Sequence, residues 1–354
     1  MRIHIPYREC ILWLSAAALG FFLTGCVQRS AGGSLTQKGM SAIEAEDLYG
    51  ALSLFSEAQA AGEDEVMLQR GQGIALLGLG RYEEAAAAFQ KAMDAADERM
   101  PKTVRDLKHY YVTTQYRLDH YEEVIRSCQE LLQEESSADL YFLLGASWLA
   151  QGEAETAREY FDHAASLSTG DYGMFLQIYE CYEKHNLTGV GDEYLQTALG
   201  FVAKSSEDQY EAGKIYFYLE QYDRAREILS EPVDKNYLPA MRLMGEVYLK
   251  LEDYAHAQAM YQSVLEKEGE SADAYNGLAL CALSSGNSDE ALRWIEKGLA
   301  LEEEEGKQQL RFNEIVAYER KLDFSTALVK AEAYNELYPS DPAGRKELTF
   351  LRTR

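Results

Sequence analysis

The 354-residue chain repeats one short pattern of polar and apolar positions along most of its length. The pattern is a turn residue, an aromatic residue two positions later and a small residue three positions after that. Gly80-Arg81-Tyr82-Glu83-Glu84-Ala85 is one copy. Similar segments are found at 119–124, 220–225, 252–257 and 322–327. Each copy predicts a tight turn that leads into a helix.

The small residue that ends each copy marks a repeat that continues beyond these five copies. Alignment on it gives nine anchor positions, separated by 32 to 39 residues with 34 as the commonest spacing. A period of this length indicates a stack of similar helical units rather than one globular core. The anchors are Ala51, Ala85, Val124, Ala157, Gly191, Ala225, Ala257, Ala291 and Ala327.

Two further positions recur at fixed distances from the anchor. Twelve residues before it lies a small residue, and four residues after it often lies a large apolar one. Paired helices reach the density of a protein interior when large side chains fill the space that small ones open. The small residues are Gly73, Gly145, Gly213, Gly245 and Ala279, and the large ones are Phe55, Phe89, Phe161, Leu195 and Ile295.

This helix–turn–helix unit resembles the tetratricopeptide (TPR) repeat over about residues 41–339. The resemblance implies an all-α fold in which about eight and a half TPR helix-turn-helix repeats stack in a right-handed superhelical solenoid. Pro232 falls where the second helix of its repeat should continue, so we expect that helix to end near Ser230. Asp341 and Pro342 predict the start of a capping helix within residues 340–354.

The first 26 residues have the features of a targeting segment. Arg2 and Arg8 precede an apolar run, 11–23, which as a helix would span roughly 20 Å, less than the roughly 30 Å hydrocarbon layer of a membrane. Such a run suits a signal peptide better than a membrane span. It ends in Leu23-Thr24-Gly25-Cys26, which resembles the lipobox of bacterial lipoproteins.

The lipobox resemblance implies that residues 1–25 are a lipoprotein signal peptide. Cys26 would then carry fatty acyl chains such as palmitate and hold the protein at the extracytoplasmic face of a bacterial membrane. Residues 26–40 include Ser30-Ala31-Gly32-Gly33-Ser34, a composition that buries little apolar surface. We therefore expect a flexible tether from the lipidated Cys26 to the repeats.

Charge and chemistry argue against several other classes of function. The formal net charge of −25 repels a phosphate backbone, so we expect no nucleic-acid partner. The five cysteines form no Cys-x-x-Cys pair and lie near no histidine at metal-ligand spacing. The histidines are scattered over separate repeats, without a nucleophile or paired carboxylate at catalytic spacing. We expect no cofactor, no metal and no enzymatic activity.

The TPR resemblance also indicates where a partner would bind, because TPR proteins usually bind on a concave surface lined by the first helix of each repeat. Cations recur at one position of alternate repeats, with aromatic residues nearby, and the alternative is that these are ordinary surface residues. The candidate groove residues are Tyr110, Tyr116, Arg117, Phe142, Lys184, Tyr210, Phe217, Tyr218, Lys250, Phe312 and Arg320.

Two functions follow from these features. The leading one is a membrane-anchored extracytoplasmic scaffold that binds a protein or peptide partner. Envelope assembly and secretion are processes in which such a scaffold could act. The alternative is a lipoprotein that captures a peptide or glycan fragment for a transporter or sensor. A deep aromatic pocket would favour the alternative, and a long open groove would favour the scaffold.

Overall fold

The computed structural model describes residues 33–302, 304 and 306–354, and within them it contains nineteen α-helices and no β-strand. This confirms the all-α fold class predicted from the repeat. The predicted signal peptide, Cys26 and the tether as far as residue 32 lie outside the described residues. Among the helices that are described, none is long and apolar enough to cross a bilayer.

The helices have similar lengths, mostly 10 to 15 residues. The first nine are α1 (Leu35–Glu44), α2 (Leu48–Ala60), α3 (Glu65–Gly78), α4 (Tyr82–Ala95), α5 (Pro101–Arg117), α6 (Tyr121–Leu131), α7 (Ala138–Ala150), α8 (Ala154–Leu167) and α9 (Tyr172–Lys184). The others are α10 (Thr188–Ala198), α11 (Ser206–Tyr218), α12 (Tyr222–Asp234), α13 (Leu238–Lys250), α14 (Tyr254–Glu268), α15 (Ala272–Ser284), α16 (Ser288–Leu299), α17 (Lys307–Arg320), α18 (Phe324–Leu337) and α19 (Pro342–Leu351).

The described chain forms two compact units, residues 33–194 and 195–354, with the boundary inside α10. Within each unit an odd-numbered helix packs on the even-numbered helix that follows it, and the second helix of each pair packs on the first helix of the next. The repeat therefore builds its core from neighbouring helices, as expected for stacked pairs.

The first helix pair is complete, which corrects the predicted half repeat and shortens the predicted tether. Helix α1 begins at Leu35, inside the segment 26–40 that was expected to be flexible. The Ser34 hydroxyl accepts a hydrogen bond from the Gln37 backbone N–H, and the Gln37 side chain accepts one from the Ser34 backbone N–H. This capping box satisfies two backbone donors at the helix start.

Glu63, in the loop between α2 and α3, also fixes the start of α1. Its carboxylate accepts from the backbone N–H groups of Leu35, at 2.8 Å, and Thr36, at 2.9 Å, and from the Thr36 hydroxyl at 2.7 Å. These hydrogen bonds lower the pKa of the Glu63 carboxyl, with the one from the Thr36 backbone the largest cause. A carboxylate at a helix N-terminus also interacts favourably with the helix dipole.

All nine turns between paired helices share one backbone geometry. In each, the residue five positions before the sequence anchor has a positive φ, between 56° and 86°. The following N–H donates to the carbonyl five residues earlier, as Arg81 does to Leu76 at 2.9 Å and Asp323 does to Tyr318 at 3.0 Å. This is the Schellman type of helix end. The positive-φ residues are Glu46, Gly80, Asp119, Gly152, Asn186, Glu220, Glu252, Gly286 and Leu322.

The predicted pairing of small and large residues is confirmed at the helix crossings. A Cβ atom added to Gly73 would lie 2.4 Å from the Phe89 ring, and one added to Gly145 would lie 2.7 Å from Phe161. Both phenylalanines are fully buried. The missing side chain of each glycine is thus what allows the ring of the paired helix to reach the core.

Helix α12 differs from its prediction, because it continues through Pro232 to Asp234 instead of ending near Ser230. Proline removes one N–H donor and clashes with the preceding turn, but here little of the helix remains after it. The chain still closes its last turn, since Lys235 N–H donates to Glu231 and Tyr237 N–H donates to the Pro232 carbonyl. Pro232 is buried.

The C-terminal helix predicted from Asp341 and Pro342 is present as α19, which packs on α18. The Asp341 carboxylate accepts from the backbone N–H groups of Ala343 and Gly344 and from the Tyr334 hydroxyl, the last at 2.6 Å. Leu348 and Leu351 join the apolar cluster formed by α17 and α18. Helix α19 therefore covers apolar surface at the end of the last pair.

Candidate binding surface

The first helices of successive pairs lie along one side of each unit. In residues 33–194, α1, α3, α5, α7 and α9 contact one another in order, and in residues 195–354, α11, α13, α15 and α17 do the same. Close approach of the first helices curves a stack toward them, so this side is the inner one in each unit. Every candidate groove residue lies on one of these helices.

The four predicted groove cations are each the last residue of a first helix: Arg117 of α5, Lys184 of α9, Lys250 of α13 and Arg320 of α17. A positive charge at this end interacts favourably with the helix dipole, by about 0.3 to 1 kcal/mol. Their regular spacing therefore has a structural explanation as well as a functional one. Lys184 and Lys250 are exposed to solvent.

Two of these cations make contacts that are defined in the structure. The Lys250 ammonium lies 5.9 Å from the centre of the Phe217 ring. The Arg320 guanidinium donates a hydrogen bond to the carbonyl of Leu283, near the end of α15. Arg320 thereby joins the ends of two first helices, which makes it less suitable than Lys250 for binding a partner.

Three of the predicted groove aromatics are buried in helix packing, which corrects their assignment to a surface. Phe142 is 2% exposed and packs on Phe161, and Phe312 is 8% exposed and meets Tyr334 edge to face. Phe217 is 7% exposed. Their side chains stabilise the pairs and offer little area to a partner, because the first helix of a pair also supplies core residues.

Tyr110 is half-buried in residues 33–194 and lies between an aromatic ring and a cation. Its ring stacks on Phe89 with centroids 5.3 Å apart, and the Arg70 guanidinium lies 5.4 Å from the ring centre. Arg70 Nε also donates to the Asp106 carboxylate at 2.6 Å. Burial raises the pKa of the Tyr110 hydroxyl, which therefore stays protonated at neutral pH.

Tyr116, near the end of the same helix, is also half-buried. Burial raises the pKa of its hydroxyl, and its ring meets Tyr121 edge to face at 6.0 Å. The Tyr121 hydroxyl in turn donates to Asp119 at 2.5 Å. Tyr116 therefore belongs to a packed group of polar aromatics at the turn between α5 and α6.

Helix α11 carries the second group of half-buried aromatics, in residues 195–354. Tyr210, Lys214 and Tyr218 are spaced four residues apart and so share one face, which we call the α11 face. The Lys214 ammonium lies 5.6 Å from the Tyr210 ring centre, and Tyr210 meets Tyr237 edge to face at 5.8 Å. Tyr218 contacts the Phe217 ring beside Lys250. The α11 face thus combines rings with cations.

Sequence reasoning missed Arg70, Lys214 and Tyr237 as parts of these groups. Arg70 stands fifteen residues before its anchor and Lys214 eleven before its own, both on first helices. The repeat position was therefore a usable signal. The contacts of the tyrosines could not be predicted in this way, because they depend on which side chains the neighbouring pair places beside them.

The described residues show no group of three or more histidine, cysteine, aspartate or glutamate side chains that could hold a metal ion. Cys128, Cys181 and Cys281 are free and buried. Burial raises the pKa of each thiol to about 12, which disfavours the reactive thiolate.

Comparison with known proteins identifies the repeat. The family model described as tetratricopeptide repeat matches residues 36–99 and 242–304. Tetratricopeptide repeat protein 21A of Mus musculus is 23% identical over 234 residues, which are 63% of this chain and 17% of that protein. The TPR repeat-containing protein YsoA of Bacillus subtilis is 32% identical over 118 residues, 32% of this chain and 34% of that protein. The matches thus span at most about a third of these relatives.

A solved structure shares the fold. The crystal structure of a tetratricopeptide repeat protein from Parabacteroides merdae superposes with a TM-score of 0.51 and 13% sequence identity. The match covers 81% of this chain and 99% of that one. The chain therefore contains TPR repeats and has the fold of a TPR solenoid.

Proposed function

We propose that this protein is a lipid-anchored scaffold on the extracytoplasmic face of a bacterial membrane, where its inner surfaces bind a protein partner. The observation that carries the proposal is the grouping of tyrosines with cations on first helices, around Tyr110 in one unit and on the α11 face in the other. Tyrosine and arginine are the residues that most often dominate binding energy at protein interfaces.

The chemistry of these groups favours a peptide segment with both apolar and acidic residues. Half-buried rings supply contact area at little entropic cost, and the exposed Lys250 attracts carboxylates at short range, whereas Lys214 already pairs with Glu211 at 3.1 Å. The net charge of the whole chain is strongly negative, so long-range attraction cannot draw in an acidic partner. Affinity should therefore rest on the aromatic contacts, and charge should determine register.

The scaffold is favoured over the capture of a small ligand. Phe142, Phe217 and Phe312, which would have to line a deep aromatic pocket, are packed into the helix interfaces. The membrane location rests on the signal peptide and lipobox pattern. Participation in envelope assembly or secretion is consistent with that location and with a protein-binding solenoid.

The test begins with affinity capture of the anchored protein and identification of its partner by mass spectrometry. Binding of the purified partner is then measured for the triple variant Tyr110→Ala, Tyr210→Ala, Tyr218→Ala. We expect a loss of about 2 kcal/mol or more, roughly 30-fold in Kd, because these rings would be the anchors of the interface. Lys250→Glu should cost less than 1 kcal/mol or so, since an exposed ion pair contributes little.

Matched controls lie on second helices. Tyr49 of α2 is 75% exposed, and Lys91 of α4 is also exposed, so Tyr49→Ala and Lys91→Glu remove the same side-chain types from the other side of the repeat. Both controls should bind the partner as wild type does. If the triple variant keeps wild-type affinity and circular dichroism, or if the controls lose binding, the partner does not bind the inner surface.

A further inference from the structure

Glu319 is a buried acid at the end of the last repeat. It lies on α17, one residue before the helix ends, and its side chain is 5% exposed. Neither of its carboxylate oxygens has a hydrogen-bond donor within the described residues. An ionised carboxylate in such a place would be costly, because burial removes its hydration without replacing it.

The group that Glu319 meets is another carboxyl, Glu347 of the C-terminal helix α19. Two ionised carboxylates can only accept hydrogen bonds, so they repel each other, whereas a pair that holds one proton forms a strong O–H···O bond. The neighbouring residues Leu348 and Leu351 pack into the cluster of Phe312, Ile315 and Tyr334. Glu319 and Glu347 thus face each other at the interface between α19 and the last helix pair.

Among the residues that the structure describes, no lysine or arginine forms an ion pair with Glu319 or Glu347. On α18, Lys330 bonds to Glu314 at 2.8 Å, and Arg352 at the end of α19 pairs with Glu332 of α18. On the side of α15 and α16, Arg320 donates to the carbonyl of Leu283 and Lys321 pairs with Asp289. Burial, and then the hydrogen bond and charge of Glu347, raise the pKa of the Glu319 carboxyl to about 8.

We propose that a proton shared between Glu319 and Glu347 holds α19 against the last helix pair, and that loss of this proton releases the helix. The direction of the pH effect follows from the number of protons bound in each state. With α19 packed, the pair keeps its proton up to about pH 8, whereas a released and solvated glutamate loses it near pH 4.5.

The packed state therefore binds one more proton than the released state throughout this interval. Rising pH then weakens the packing of α19 by up to tenfold per pH unit between about pH 5 and pH 8. Above this interval both states are ionised, and below it both are protonated, so the pH dependence levels off. Release would uncover the apolar surface of Phe312 and Tyr334 that Leu351 helps to cover.

Hydrogen exchange of the purified full-length chain tests the proposal. Protection factors of the α19 amides, which are already corrected for intrinsic exchange rates, are measured from about pH 5 to about pH 8. The ratio of the wild-type protection factor to that of the Glu319→Gln variant should fall by up to tenfold per pH unit. The variant serves as the reference because its glutamine at this position cannot titrate. Amides of α3, in the other unit, should show no such difference. The exposed acid Glu336 of α18 provides the matched control, and Glu336→Gln should keep the wild-type slope.

If Glu319→Gln does not fold, Glu347→Gln carries the test. Its amide would donate to the Glu319 carboxylate, so the pH-dependent interval should move to lower pH. The proposal is overturned if α19 protection in wild type parallels that of the folded Glu319→Gln variant at every pH, or if Glu347→Gln leaves the interval unchanged.

Discussion

Leu322, in the turn between α17 and α18, has a φ of 61°, a conformation that favours glycine, while its side chain is 75% exposed. Five of the eight other turns of this kind, Glu46, Asp119 and Asn186 among them, also have a residue other than glycine, and only Gly80, Gly152 and Gly286 are glycines. The repeat therefore imposes the same backbone on several residue types. For an L-residue with a Cβ the left-handed conformation costs roughly 1–2 kcal/mol. A leucine in this conformation gains little contact in return.

Leu322→Gly should therefore raise the local stability of the last helix pair. The relief of backbone strain is partly offset by the greater freedom of glycine in the unfolded chain, about 0.5–1 kcal/mol, which leaves a gain of up to about 1 kcal/mol. Hydrogen-exchange protection of the α17 and α18 amides measures the effect.

Gly152→Ala is the converse control at the equivalent turn between α7 and α8. Gly152 has a φ of 86°, and a Cβ atom there would meet no atom within 4 Å, so any loss comes from the backbone alone. We expect a cost of about 1 kcal/mol in the protection of α7 and α8. Unchanged protection in both variants would show that these turns store no strain.

At the scale of the helix, the anchor alanines were predicted from spacing alone, and the structure buries them completely. Ala257 of α14 is 0% exposed, beside Tyr261, whose ring fills the space left by Gly245 and Gly277. The ends of the helices were harder to predict. The start of α1 depends on the Glu63 carboxylate in the loop between α2 and α3, and the continuation of α12 depends on how few residues follow Pro232.

Ala257→Arg should open the helices around it. The long, charged arginine side chain would have to displace neighbouring side chains at a closely packed helix crossing and lose its hydration. We expect this to cost about 3 kcal/mol or more. Because each pair contacts only its neighbours, the added hydrogen exchange should concentrate in α13 to α16. Ala255→Arg, two residues away on the exposed side of α14, should leave exchange unchanged. Equal exchange in the two variants would contradict the assigned register of the repeat.

For the whole molecule, the proposed anchor makes one residue responsible for location. Cys26→Ala should abolish incorporation of labelled fatty acid and retain the signal peptide, because the acylated cysteine defines the cleavage site in the lipobox pattern. Cys10→Ala, which changes the other cysteine of the first 26 residues, should label and fractionate with membranes like wild type. Equal labelling of the Cys26→Ala variant would end the lipoprotein interpretation.

The period of the repeat made the fold predictable, since each helix pair obeys the same local rules of turn, small residue and large residue. The candidate surface was predictable only in part. Repeat position located the first helices, but it could not separate Phe142, which packs inward, from Tyr110, which is half-buried beside Arg70. That distinction depends on the neighbouring pair, whose side chains vary from one repeat to the next.

The early start of α1 limits how far an anchored protein could stand from its membrane. Glu63 and the capping box hold the chain at Leu35, so only eight residue steps separate Cys26 from Ser34. A fully extended chain of that length reaches roughly 28 Å. The first helix pair would then stay close to the lipid headgroups. Its partners would be proteins that present their binding segments near the membrane surface.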